Sequence, residues 1–200
     1  MLKGKNAREK TEYFWMYYKA PFLAILAVLL ITGYWVRAAA VEKELAFSAM
    51  LVDCHASVSE EEMEQDFASF AGMDADTVSF QNSYLFSDST SSTYAMTSLS
   101  RFYSDIGTEK LDVCGLLEQD FEKYSESGTF LDLRECFTEE ELSGYGANLY
   151  YYEGKPVGIY RDGLPGLAKS GCYSKSNAMI GIIYNTKHVG TAADYIRYLS

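Results

Sequence analysis

Chemistry in this chain has to come from a few small groups of side chains. Asp53, His55 and Ser57 stand within the run Asp53-Cys54-His55-Ala56-Ser57, at the carboxyl end of the first expected strand. Open α/β sheets hold ligands along that edge. A carboxylate, an imidazole and a hydroxyl are also the parts of a hydrolytic set. The same residues read equally as a polar loop ahead of a helix, and the chain has neither a nucleophile elbow nor a phosphate-binding glycine loop. No enzymatic activity is expected. Asn82, within the second expected strand, Glu118, just after the third, and Tyr160, at the end of the fifth, join Asp53, His55 and Ser57 as candidate ligand contacts. His188, ahead of the last helix, has no visible partner in the sequence and reads as a surface residue.

Four cysteines, Cys54, Cys114, Cys136 and Cys172, allow three pairings into two disulfides. Cys54 with Cys114 is the candidate, since the first and third strands are expected neighbours; otherwise the cysteines read as small buried hydrophobes. No Cys-x-x-Cys occurs, and neither a metal nor a cofactor is expected. Glu60-Glu61-Glu62 and Glu139-Glu140-Glu141 open expected helices, where carboxylates favour the helix dipole. Tyr150-Tyr151-Tyr152, with Tyr145 and Tyr160, sets Tyr151 on the strand face opposite its neighbours. It reads as edge packing, or as an exposed ring for protein or sugar contact.

The elements that must position these groups follow from periodicity. Residues 44–53 alternate two apolar faces, Ala46, Ser48, Met50 and Val52 against Leu45, Phe47, Ala49 and Leu51, as in a strand covered on both sides. Further strands are expected over 77–86, 111–117, 148–152, 155–160 and 178–184, with Glu153-Gly154 as a hairpin turn. Ser59 and Glu62 open a helix with Met63, Phe67 and Phe70 inward, ended by Gly72. Met96, Leu99, Tyr103 and Ile106 are the expected buried side of the second helix, and Phe121 and Tyr124 that of the third. Thr138 and Glu141 make a capping box. Residues 161–177 read as an irregular connection; Thr191 then caps a last helix with Ala192, Tyr195 or Ile196, and Leu199 inward. This alternation predicts an α/β domain over residues 45–200, with a central, mostly parallel sheet and helices on both faces.

Charge and hydropathy give an address. Ala20–Val36 contains no charged side chain, with Lys19 before it and Arg37 after it. Tyr13-Phe14-Trp15-Met16-Tyr17-Tyr18 and Tyr34-Trp35 resemble the two aromatic belts of a membrane helix, so the span is expected over 20–36, or 13–36 with some tilt. Residues 1–40 carry a net +4 against −11 for the whole chain, which leaves −15 on residues 41–200. The positive-inside pattern puts a basic leader, 1–19, in the cytoplasm, a stalk at 37–44, and the domain outside a single-pass anchor. Cleavage after Ala40, as a secretory signal, is the rival reading. An acidic domain repels phosphate backbones, so no nucleic acid is expected.

The order of elements also resembles a known family. Leu111-Asp112-Val113, Phe121 with Gly128-Thr129-Phe130-Leu131-Asp132-Leu133, Gly154-Lys155-Pro156-Val157-Gly158-Ile159-Tyr160, and Ile182-Ile183-Tyr184-Asn185-Thr186-Lys187-His188 followed by Ala192-Ala193 and Tyr195-Ile196-Arg197-Tyr198-Leu199 recur in order. Together they resemble the extracytoplasmic solute-binding proteins of bacterial ABC importers, with their two-lobed periplasmic-binding fold. In that family a whole second lobe follows the hairpin; here only residues 161–177 do. The resemblance therefore implies a single lobe with an open half-cleft. Joined to the expected anchor, it implies a non-catalytic domain that binds a protein partner, such as an ABC-type permease. The alternative is a receptor for a small solute, a sugar or peptide, that uses the half-cleft. A closed pocket beside Ser57, Asn82, Glu118 and Tyr160 favours the receptor; a flat apolar patch favours the partner.

Overall fold

The computed structural model describes residues 15, 21–35, 45–86, 93–173 and 177–200. Contacts divide the chain into two units, Met1–Lys43 and Glu44–Ser200. In the first, residues 21–35 form a helix, α1, exposed along its whole described length. Its Thr32 hydroxyl donates to the Val28 carbonyl at 2.7 Å, so that polar group is satisfied within the helix. No helix among the described residues is long and apolar enough to cross a membrane. The described part of α1 is about 22 Å long at about 1.5 Å per residue. Both ends of the expected span, the leader apart from Trp15, and the stalk up to residue 44 lie outside the described residues.

The second unit is an α/β domain around one six-stranded sheet, in the order β2-β1-β3-β6-β5-β4. The strands are β1 (Phe47–Leu51), β2 (Val78–Gln81), β3 (Val113–Leu117), β4 (Leu149–Tyr152), β5 (Lys155–Tyr160) and β6 (Ala178–Ile182). The sheet is mixed rather than mostly parallel. β1 pairs in parallel with β2 and β3, whereas β3–β6, β6–β5 and β5–β4 are antiparallel. The hairpin reverses the chain between β4 and β5, and the return through residues 161–177 reverses it again before β6 enters between β3 and β5. Glu153 and Gly154 both take positive φ, 49° and 77°, which suits the twist of a two-residue hairpin turn.

Six helices flank the sheet: α2 (Glu60–Ala71), α3 (Thr93–Gly107), α4 (Glu118–Glu126), α5 (Glu139–Tyr145), α6 (Pro165–Lys169) and α7 (Val189–Leu199). β1 is buried along its whole length. Phe47, Ala49 and Leu51 pack with α2, α5, α6 and α7, while Met50 and Val52 pack with α3 and α4. That is the two-faced burial the alternation predicts. Ser59 caps α2 by accepting from the Glu62 N–H at 3.2 Å, and Gly72 ends it in the left-handed region. Thr138 and Glu141 form the expected capping box. α7 begins two residues before Thr191, behind His188, and buries both Tyr195 and Ile196. Residues 161–177 are less irregular than expected, because α6 lies within them.

One helix keeps most of its expected face and another turns away from it. α2 buries Met63, Phe67 and Ala68, and leaves Phe70 56% exposed. α3 buries Ala95, Ser98, Phe102 and Asp105, one residue round from the expected stripe, so Met96 is 63% and Tyr103 54% exposed. Small Ala95 and Ser98 allow close approach to the sheet. Phe102 fills the gap between Phe86 and Tyr124, with ring centroids at 5.5 and 5.0 Å. Asp105 is buried with its charge met by Arg101 at 2.7 Å.

Candidate functional site

The order β2-β1-β3 makes β1 a switch point: the chain leaves it for β2 on one side and returns as β3 on the other. The carboxyl ends of β1 and β3 border the crevice where such sheets hold ligands. β5 runs in the same direction as β3, since both are antiparallel to β6. Asp53, Ser57, Asn82, Glu118 and Tyr160 therefore all come to this one edge, as expected. Tyr151 does not; it lies near the hairpin turn at the opposite edge, more than half exposed.

The chain fills the crevice itself. Tyr173 is buried, with its hydroxyl 2.7 Å from the Val52 carbonyl oxygen and 2.9 Å from that of Gly115. Glycine at 115 makes room for it. A Cβ there would lie 3.1 Å from the Tyr173 hydroxyl and 2.7 Å from the Ile180 side chain. Burial holds the Tyr173 phenol well above its ordinary pKa, so it remains a neutral donor. Arg161 donates to the Tyr173 carbonyl at 2.8 Å. Ser57 gives its N–H and its hydroxyl to the Ser170 carbonyl, at 2.9 and 3.1 Å.

A disulfide completes this clamp, and it joins Cys54 to Cys172 rather than to Cys114. β1 and β3 are neighbours as expected, but their register sets Met50 opposite Cys114, four residues short of Cys54. Cys114 also faces the α3–α4 layer, while Cys54 faces the other. Cys114 and Cys136 are free thiols; burial raises the pKa of both, Cys136 to about 11.

The remaining polar candidates have partners of their own. Asp53 accepts from the Phe86 N–H at 3.2 Å. Burial, and then the charge of Asp53, raise the carboxyl pKa of Asp120 in the first turn of α4. Glu118 accepts from the Tyr160 hydroxyl at 3.5 Å and from the Asn177 amide at 3.2 Å. Asp53 and Ser57 thus spend their hydrogen bonds on the backbone rather than on each other, and His55 is exposed. His188 has a partner after all, its Nδ1 lying 3.2 Å from the buried Asp112 carboxylate at the other end of the sheet.

Two features have weak sequence signals. Glu60 accepts from the Asn82 N–H at 2.8 Å, and Glu64 from the Phe80 N–H at 3.1 Å. These carboxylates cover the outer edge of β2, beyond any role at the helix dipole. Their signal is a spacing match, one helical turn against two strand residues. The second is a cavity of about 240 Å³ between α2, α6 and α7. Met63, Phe80, Tyr198 and Leu199 give it apolar walls, and Asp66 and Lys169 line it with opposite charges. Tyr195 also lines it, and its hydroxyl is buried with no hydrogen-bond partner. Half of this lining is periodic along α2 and α7, but the part from α6 comes from a stretch with no readable pattern.

Among the described residues, no group of three or more His, Cys, Asp or Glu side chains could hold a metal ion. Comparison of the chain with family models, curated proteins and solved structures finds no match.

Proposed function

We propose that Glu44–Ser200 is a non-catalytic binding domain, held outside a cell membrane by the run 20–36, that docks a protein partner along α3. The observation that carries this reading is the orientation of α3. Met96 and Tyr103 share one face of it and are more than half exposed, with half-buried Leu99 between them packed against the core. Tyr103 packs its ring against Tyr124, with centroids 6.1 Å apart, and the surface that it and Met96 leave exposed is well suited to protein contact. The resemblance to solute-binding lobes makes an ABC-type permease the kind of partner to expect. The half-cleft alternative, capture of a sugar or peptide at the β1–β3 edge, is disfavoured by Tyr173, which occupies that crevice.

The test places a photo-crosslinking residue at position 96, 103 or 61 of the tagged full-length protein in its own membranes. A single membrane-protein adduct is expected from 96 and 103, with none from 61 on exposed α2. Met96→Asp should abolish the adduct formed from 103 and leave the melting temperature unchanged. Absence of an adduct from both α3 positions sinks the proposal.

A further inference from the structure

The cavity between α2, α6 and α7 lies on the other face of the sheet from α3 and serves no part of the docking reading. We infer that it is a binding site for one free aromatic α-amino acid, taken as its zwitterion.

Size comes first. The space is about 240 Å³. An apolar cavity of about 150 Å³ accepts benzene, and drug-sized sites begin near ~300 Å³. One ring with a short polar head fits between these limits. The walls select the ring: Met63, Phe80, Tyr198 and Leu199 offer apolar and aromatic surface.

Charge then selects the head. Asp66 comes from α2 and Lys169 from α6, and both line the same cavity. A singly charged ligand meets one attraction and one repulsion there. A zwitterion meets two attractions, its ammonium at Asp66 and its carboxylate at Lys169.

Tyr195 adds one more aromatic wall, its hydroxyl being buried away from the accessible space. The wall built by α6 is fixed rather than loose, because Ser57–Ser170 and the Cys54–Cys172 disulfide hold that segment against the end of β1.

Calorimetric titration of the full-length protein in detergent micelles tests this, with L-tryptophan, L-tyrosine, L-phenylalanine, tryptamine, indole-3-propionate and D-glucose as probes. L-Tryptophan, L-tyrosine and L-phenylalanine are expected to bind, and tryptamine and indole-3-propionate about tenfold more weakly than tryptophan. Lys169→Met should erase the preference for tryptophan over tryptamine, and Asp66→Asn the preference over indole-3-propionate. Tyr195→Phe, which deletes a hydroxyl that the cavity does not reach, should leave every titration unchanged. No binding of any of the three amino acids at millimolar concentration, equal binding of the singly charged analogues, or binding of glucose in their place overturns the inference. Met96→Asp is expected to leave every titration unchanged, which keeps this site separate from the α3 surface.

Discussion

Asp120 carries a charge that its position disfavours. It stands in the first turn of α4, where the dipole favours a carboxylate, yet burial and the nearby charge of Asp53 raise its pKa, with Lys123 opposing only in part. The folded state therefore holds the Asp120 proton more tightly than the unfolded chain does. No penalty exists below the unfolded pKa of about 3.9; one develops as the pH rises through the folded value and persists at neutrality. Asp120→Asn is expected to raise the melting temperature at pH 7, modestly because solvent screens the site. The gap should close as the pH is lowered through about 4. Thermal melts of both proteins across that range decide it, and a gap of constant size contradicts the assignment. Glu141 titrates with the opposite sign. Hydrogen bonds from Arg197 and then from the Thr138 N–H lower its pKa to about 2, so its contribution is present above the ordinary carboxylate range and lost as the pH falls towards that value. At this scale the sequence is candid about type and poor about partner. Asp53, Ser57, Asn82, Glu118 and Tyr160 reach one edge as their strand positions imply. What each one bonds to depends on Phe86 and Ser170, whose proximity no local pattern encodes, and on Glu60, whose one sign is a spacing match.

Helix α2 does a task for its neighbouring strand that its composition alone does not announce. β2 is an edge strand, and open edges invite pairing with other chains. The N–H of Phe80 within it and that of Asn82 just past its end point to the Glu64 and Glu60 carboxylates. Glu60→Ala with Glu64→Ala removes both acceptors and bares the edge. The expected cost is about 1–2 kcal/mol for the pair, with a rise in self-association. Urea denaturation and size-exclusion chromatography measure the two effects. Unchanged values of both would mean that the edge needs no cover. Element types were readable from capping and periodicity, as Ser59, Gly72, Thr138 and Gly154 show. Rotation was not. The stripes Met96-Leu99-Tyr103-Ile106 and Ala95-Ser98-Phe102-Asp105 have the same period and differ by one residue, about 100° around the helix. Hydropathy prefers the first; close approach by Ala95 and Ser98, and the fit of Phe102, decide for the second. Sheet direction failed for a related reason. Strands separated by helices imply parallel pairing, and nothing local shows that β6 enters between β3 and β5 running the other way.

For the whole molecule, location is the property with most consequence, and two independent observations bear on it. α1 is uncharged and exposed, and it follows a basic leader and precedes a domain of net charge −15. The Cys54–Cys172 disulfide spans 118 residues, long enough to stabilise the fold by roughly 4–5 kcal/mol in the chain-entropy model. Such bonds persist outside the cytoplasm and are scarce within it. Both observations support the proposed tethered domain on the oxidising side, where tethering would raise its effective concentration beside the proposed membrane partner without any new contact. Membranes from cells making the full-length protein test the topology directly. The chain is expected to stay in the pellet through high salt and alkaline carbonate, and to leave it when Leu26→Arg and Leu29→Arg are combined, since each arginine near mid-bilayer costs about 2.5–3.5 kcal/mol. Protease added to the outer face should remove the acidic domain. Alkylation after denaturation without reductant should find two of the four cysteines blocked. Recovery of a shortened chain in the soluble fraction identifies cleavage after Ala40 in place of anchoring. Four reactive cysteines in a protease-resistant domain reverse the orientation, leaving the α3 stripe to face a cytoplasmic partner.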